Sequence, residues 1–267
     1  MDQVSRRRRT RVTPALAGAL LLFALGLAAR PLAAAVPAAI ATGDAAYARN
    51  DLAAARAAYA EVLSAQPGLF DALWRLARVE SELGEEASGT AKKELVLTAV
   101  EHARAAVKVA PDSAQGHVWL SVALGRQALK EGPKTRLALS REIKSEVDRA
   151  LAIDPSIGRA YHVRALWNRK IASLNFMERA AANTALGGVP KGASMENALR
   201  DLQKAIELEP HYVNHHLELG RTFIELSRRA EARVELERVL SLPATSNPRD
   251  PTYQAEARAL LAKLPAR

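Results

Sequence analysis

The stretch LQKAIELEP, residues 202–210, decides how this chain folds, because four other stretches repeat its pattern. AYAEVLSAQP ends at Pro67, ARAAVKVAP at Pro111, VDRALAIDP at Pro155 and RVLSLP at Pro243. Each is an Ala-rich amphipathic run that closes on a small residue, a spacer and a proline. The proline stops a helix, because it lacks an N–H donor and its ring clashes with the preceding turn. A phrase that returns in this way marks a repeat architecture. No single unit buries its apolar face alone, so neighbours must stack.

Within three phrases the spacing is the same: Ala55, Tyr59, Val62; Ala99, Ala103, Ala106; Ala198, Leu202, Ala205. Small residues let two antiparallel helices approach, and the larger one fills the groove between them. Leu219-Gly220-x2-Phe223 carries the matching signal of a first helix, and Gly43 stands at the equivalent glycine of the first unit. These residues resemble the tetratricopeptide repeat, whose period is about 34 residues. The resemblance implies an all-α, right-handed superhelix of antiparallel helix pairs. Repeats are expected over about 36–69, 70–113, 114–157, 158–212 and 213–245, with a capping helix over 251–264 opened by Asp250-Pro251. Ser113, Ser156 and Ser194 read as helix starts.

The prolines lie 44, 44, 55 and 33 residues apart, so the middle repeats are expanded. The surplus of the second is expected as a polar loop over Gly84–Lys93. In the third it lengthens both helices around the Lys130–Pro133 turn, and in the fourth Asn175–Leu186 forms an additional helix. Trp119, Trp167 and Phe176 are expected to pack around that helix. GHVWLSVALG, the KEGPK turn, ALWNRKIASLNFMERAAANTALGGVPKGASMENAL and AIELEPHYVNHHLELGRTFIEL are similar to the regulator of microtubule dynamics family. That resemblance covers roughly Ala99–Leu242. It implies a helical tetratricopeptide domain, which in that family often follows an N-terminal membrane segment.

Ahead of the repeats, Arg6–Arg11 form a basic cluster and Ala15–Ala29 an apolar run of 15 residues. This is the build of a signal peptide, shorter than the ~20 residues of a spanning helix. Ala33-Ala34-Ala35 offers a cleavage pattern. Residues 1–35 are therefore expected to act as a signal peptide or, uncleaved, as an anchor, with 36–267 as the repeat domain. Either outcome puts the repeats outside the cytoplasm, periplasmic or held at the inner membrane.

Charge narrows the partners. The net charge is +9, but the first 35 residues hold six basic groups and one acidic, leaving 32 against 28 in the body. Nucleic acid is therefore not expected as a partner. The chain has no cysteine, which excludes disulfides, thiolate metal sites and thiol nucleophiles. His211 and His215 are four apart without an HExxH pattern, so no metal is expected. There is no nucleophile elbow, P-loop or dinucleotide fingerprint, hence no catalytic residue and no cofactor.

In the repeat register the first helices turn Trp74, Arg75, Arg78, Arg126, Arg159, His162, Arg169, Lys170, Asn214 and Arg221 toward the inner groove. Arginine forks favour carboxylate and phosphate partners. The expectation is a non-catalytic scaffold binding an acidic peptide or protein. The alternative is a carrier for a lipid or other apolar ligand at the membrane.

Overall fold

In a computed structural model of the chain, the described residues are 29–243, 245, 247 and 249–265. They form twelve helices and no strand. Contacts divide the chain into Met1–Ala38 and Ala39–Arg267. The basic cluster and most of the apolar run lie outside the described residues. No helix among the described residues is long and apolar enough to cross a membrane.

The helices pair in order. α1 (Ala29–Ala48) precedes α2 (Leu52–Ala65), α3 (Phe70–Glu86) precedes α4 (Gly89–Val109), and α5 (Ala114–Ala128) precedes α6 (Pro133–Ile153). α7 (Gly158–Ala172) pairs with α9 (Met195–Leu208), with α8 (Phe176–Ala185) inserted between them. α10 (Val213–Glu225) pairs with α11 (Arg229–Ser241), and α12 (Asp250–Lys263) packs on both as the cap. The all-α architecture with expanded middle repeats and a capping helix is the one expected.

The five prolines follow five buried triples. To those read from the sequence the structure adds Ile143, Val147, Ala150 and Ala232, Leu236, Val239. None of the fifteen side chains is more than 7% exposed. On the facing first helices, Gly43, Ala77, Ser121, Ala165 and Gly220 occupy one register position, and all are buried. The reason is space. A Cβ at Gly43 would sit 2.7 Å from Tyr59 Cδ1, and one at Gly220 would sit 3.0 Å from Leu236 Cδ2.

Three local expectations are corrected. Gly84–Lys93 is not a loop: α3 runs to Glu86 and α4 starts at Gly89, so the surplus lengthens helices. The surplus of the third repeat goes mainly to the 21-residue α6, since α5 has only 15. Ser194 does cap α9, accepting from Asn197 N at 3.0 Å, but Ile157 and not Ser156 precedes α7. Ser156 turns back to Asp154 instead.

Gly43→Ala must push Tyr59, a fully buried side chain, out of its place. Overpacking of this kind costs about 1–3 kcal/mol. The variant is expected to lower the urea midpoint accordingly, while Gly68→Ala, where nothing lies within 4 Å, tests backbone strain alone at its φ of +91°.

Candidate functional site

α1, α3, α5 and the start of α7 line an open cavity of about 490 Å³ together with the turn before α10 and the segment before α12. Its walls are aromatic: Tyr47, Trp74, Trp119 and Tyr212. Two arginines stand among them. The Arg78 guanidinium lies 3.6 Å from the Tyr47 ring centre and 5.1 Å from that of Trp74. Arg159 lies 4.9 Å from both Trp119 and Tyr212. A cation over a ring face is attracted by the ring quadrupole, which holds the guanidinium planes against the wall.

The two arginines differ in how far they are committed. Arg159 donates to the Tyr212 hydroxyl at 3.2 Å, and its backbone N–H donates to Glu209 at 3.2 Å. Arg78 has only a 3.5 Å contact to the Tyr59 hydroxyl and a 3.8 Å approach to Asp44, and its buried Nε has no partner. Behind it Tyr47 donates to Glu82 at 2.9 Å. Burial pushes the Glu82 carboxyl above the usual carboxylate range, against the pull of Arg159, Tyr47, Arg78 and Arg126.

Of the ten expected groove residues, the structure brings Trp74, Arg78 and Arg159 into the cavity wall. The others do not add free positive charge to it. Arg75 is clamped by Asp44 and Asp71, at 2.9 and 2.6 Å. Arg126 pairs with Glu85, which also faces Arg249 at 3.8 Å. Arg169 holds Glu218 and approaches Glu225, and Arg221 spans Glu218 and Glu256. Asn214 has a buried, unpartnered Oδ1, and Lys170 is exposed at the end of α7. Most arginines of the expected groove are thus paired with carboxylates. Counting the basic residues of the first helices overlooks Glu82, Glu85 and Glu218 on the same faces. Glu85 falls in the stretch expected as a loop, which hides it.

One further reading changes. Phe176 is 81% exposed, whereas Trp119 and Trp167 are buried in the main apolar cluster. The inserted helix contributes no side chain to the cavity wall. His211 and His215 do not converge. His211 borders the cavity, and His215 is fully buried, its Nδ1 2.9 Å from Nδ1 of His162 and its Nε2 3.0 Å from Glu209. Among the described residues no cluster suits a metal ion.

A family model described as Regulator of microtubule dynamics protein 1-3 matches residues 39–265. The chain belongs to this family. Regulator of microtubule dynamics protein 3 of Mus musculus is 33% identical over 194 residues, which is 71% of this chain and 40% of that protein. Regulator of microtubule dynamics protein 1 of Caenorhabditis elegans is 28% identical over 193 residues, 72% of this chain and 84% of that protein. The chain therefore spans less than half the length of the mouse relative. A thermophilic TPR protein of Thermus thermophilus superposes with a TM-score of 0.63 at 20% identity, covering 85% of this chain and 99% of that one. The likeness shows the tetratricopeptide-type fold of this family member.

The histidine pair sets a pH dependence. Burial holds both imidazoles below their ordinary range. For His162 the neighbouring His215 imidazole and the cations Arg159, Arg169 and Arg126 add to it, and for His215 the Glu209 carboxylate opposes it. Below about pH 6.5 the unfolded chain takes up protons that the folded one refuses, so this stability is present above that pH and lost as pH falls. Glu82, whose folded form keeps its proton longer, works in the opposite sense. The comparison must therefore be differential. Between pH 7.5 and 5.5, His162→Gln is expected to flatten the fall of stability in urea by at most about 1.4 kcal/mol over the whole interval, one proton taken up below about pH 6.5.

Proposed function

We propose that this protein is a non-catalytic helical-repeat scaffold that binds an acidic peptide or protein through the aromatic cavity. The observation that supports it is Arg78: a partly covered guanidinium, stacked on Tyr47 and Trp74, with a buried Nε that has no partner. A carboxylate entering the cavity pairs with the partly exposed Arg78 guanidinium, and the aromatic walls take the apolar stem beside it. The titratable groups around the cavity are largely bonded to one another, an arrangement that suits recognition. The relatives' name refers to microtubule dynamics; the proposed contact requires only a carboxylate beside an apolar group.

A second reading is favoured by the same aromatic wall. An anionic lipid presents one charged head group and apolar carbons, and the cavity would hold both. Native mass spectrometry separates the two: co-purified lipid lost on Trp74→Ala favours the carrier, and a clean mass with intact peptide binding sinks it.

We further propose that the basic and apolar leader exports the repeat domain or holds it at the membrane, outside the cytoplasm. The supporting feature is the order of Arg6–Arg11, the apolar run and Ala33-Ala34-Ala35. N-terminal sequencing of the mature protein is expected to begin near Val36 for cleavage or at the native start for an anchor. Recovery from the cytosolic fraction with the leader intact overturns both.

Titration with fluorescent peptides that place Asp or Glu beside a leucine or phenylalanine is expected to give dissociation constants on the order of micromolar, weakening with salt. Arg78→Gln is expected to weaken binding about tenfold or more, since a charge-assisted bond is worth about 1.5–3 kcal/mol. Lys170→Gln, which stands outside the cavity wall, is the control. Equal binding of basic peptides, or an unchanged Arg78→Gln, refutes the proposal.

A further inference from the structure

The α7–α8 corner presents a feature that neither the cavity nor the fold explains. Phe176 and Met177, the first two residues of α8, are 81% and 72% exposed, and Leu129, just past α5, is 74% exposed. These are the three most exposed large apolar side chains among the described residues. They share one end of the superhelix: Ala128 beside Leu129, and Ile171 and Leu174 ahead of Phe176, belong to one apolar cluster.

The exposure is built into a stiff corner. Asn175 accepts from Glu178 N and Glu178 accepts from Asn175 N, both at 2.9 Å, which closes a capping box over the start of α8. The Arg179 guanidinium donates to the carbonyls of Leu174, Ile171 and Ala172 at 3.0, 2.8 and 2.9 Å. Arg141 of α6 donates to Leu186 and Gly188 carbonyls at the far end. An ordinary surface helix turns such residues inward, whereas here the bonds hold them out.

Charge at the same end points to the occupant. Lys130, Lys134 and Lys170 are exposed and form no ion pair with a described residue. Lys134 sits in the first turn of α6, which has no acidic residue, so it faces the positive end of the helix dipole. Nearby carboxylates are mostly occupied: Glu178 in the capping box, and Glu225 with Ser173 and Arg169. Glu131 is the exception. Protruding Phe, Met and Leu at the same helix ends as three unpaired lysines is the chemistry of a surface that enters the headgroup region of a bilayer. A second copy of the chain is a poorer fit, since three side chains fall far short of the roughly 800 Å² per partner of a stable interface.

We propose that the α5–α6 turn and the α7–α8 corner form a docking surface for an anionic lipid bilayer, with Phe176, Met177 and Leu129 inserting and the lysines meeting the head groups. It is separate from the cavity and does not rest on what the cavity binds.

The absence of native cysteine makes the test direct. Full-length Met177→Cys and Ser64→Cys, the latter exposed at the opposite end of the helix pairs, each carry one polarity-sensitive fluorophore. They are mixed with phosphatidylcholine vesicles, with and without about one-third phosphatidylserine. The label at 177 is expected to shift to the blue and to be quenched by brominated acyl chains on the anionic vesicles, while that at 64 is not. Lys130→Glu, Lys134→Glu and Lys170→Glu together are expected to reduce the quenching at 177 about tenfold at equal lipid. The leader is present in every sample, so tethering by it leaves position 177 in water unless this end itself docks. Equal signals at 177 and 64, equal signals on neutral vesicles, or a 177 label shielded before lipid is added (a second copy or the leader covering it) each overturn the proposal.

Discussion

In the first and last helix pairs a glycine faces a large side chain sixteen residues further on, Gly43 against Tyr59 and Gly220 against Leu236. No Cβ fits at either glycine without displacing the partner, so the two helices are as close there as backbone allows. The intervening pairs meet the same constraint with Ala77, Ser121 and Ala165, all buried. Packing close enough to exclude larger groups fixes the crossing of each pair, and a fixed crossing repeated along the chain sets the curve of the superhelix. The cavity is a consequence. Tyr47, Trp74, Trp119 and Tyr212 come from different repeats and meet on one cavity wall.

This constraint also makes the fold readable in the sequence. Small residues and proline recur because helix spacing requires them, so Ala55, Ala99 and Ala198 announce the pairing without knowledge of any distant contact. The insertions show the limit. Proline spacings of 44 and 55 state how many residues are surplus but say nothing of where they go. Gly84–Lys93 looks like a loop by its glycines and charges, yet α3 and α4 together take up all of it but Ala87 and Ser88, and α4 carries Val96, Ala99 and Val100 into the core. Phe176 departs from expectation for the opposite reason. Aromatic residues are usually buried, and only the capping box of Asn175 and Glu178, visible as a local pattern, hints that the corner is held outward.

The site is less legible than the fold because electrostatics depends on pairs. Arg126, Arg169 and Arg221 do stand on first helices, but their meaning rests on Glu85, Glu218 and Glu256, drawn from three other elements. A guanidinium taken partly out of water must find a carboxylate or carry a cost of several kcal/mol. A groove lined with arginines therefore has to be lined with acids too. What distinguishes the cavity is the position where this rule is incompletely met. Arg159 is tied to Tyr212 and to the turn at Glu209, so its bonds belong to the fold. Arg78 has two long contacts, two aromatic faces and one unused donor. Cation–π contact stabilises the charge without saturating its hydrogen bonds, which leaves it ready for an anion without exposing it as a bare charge. Burial pushes the Glu82 carboxyl above the usual carboxylate range, and its hydrogen bond goes to the Tyr47 hydroxyl. On the proposed reading, an incoming carboxylate would meet a cation whose hydrogen bonds the fold has left incomplete.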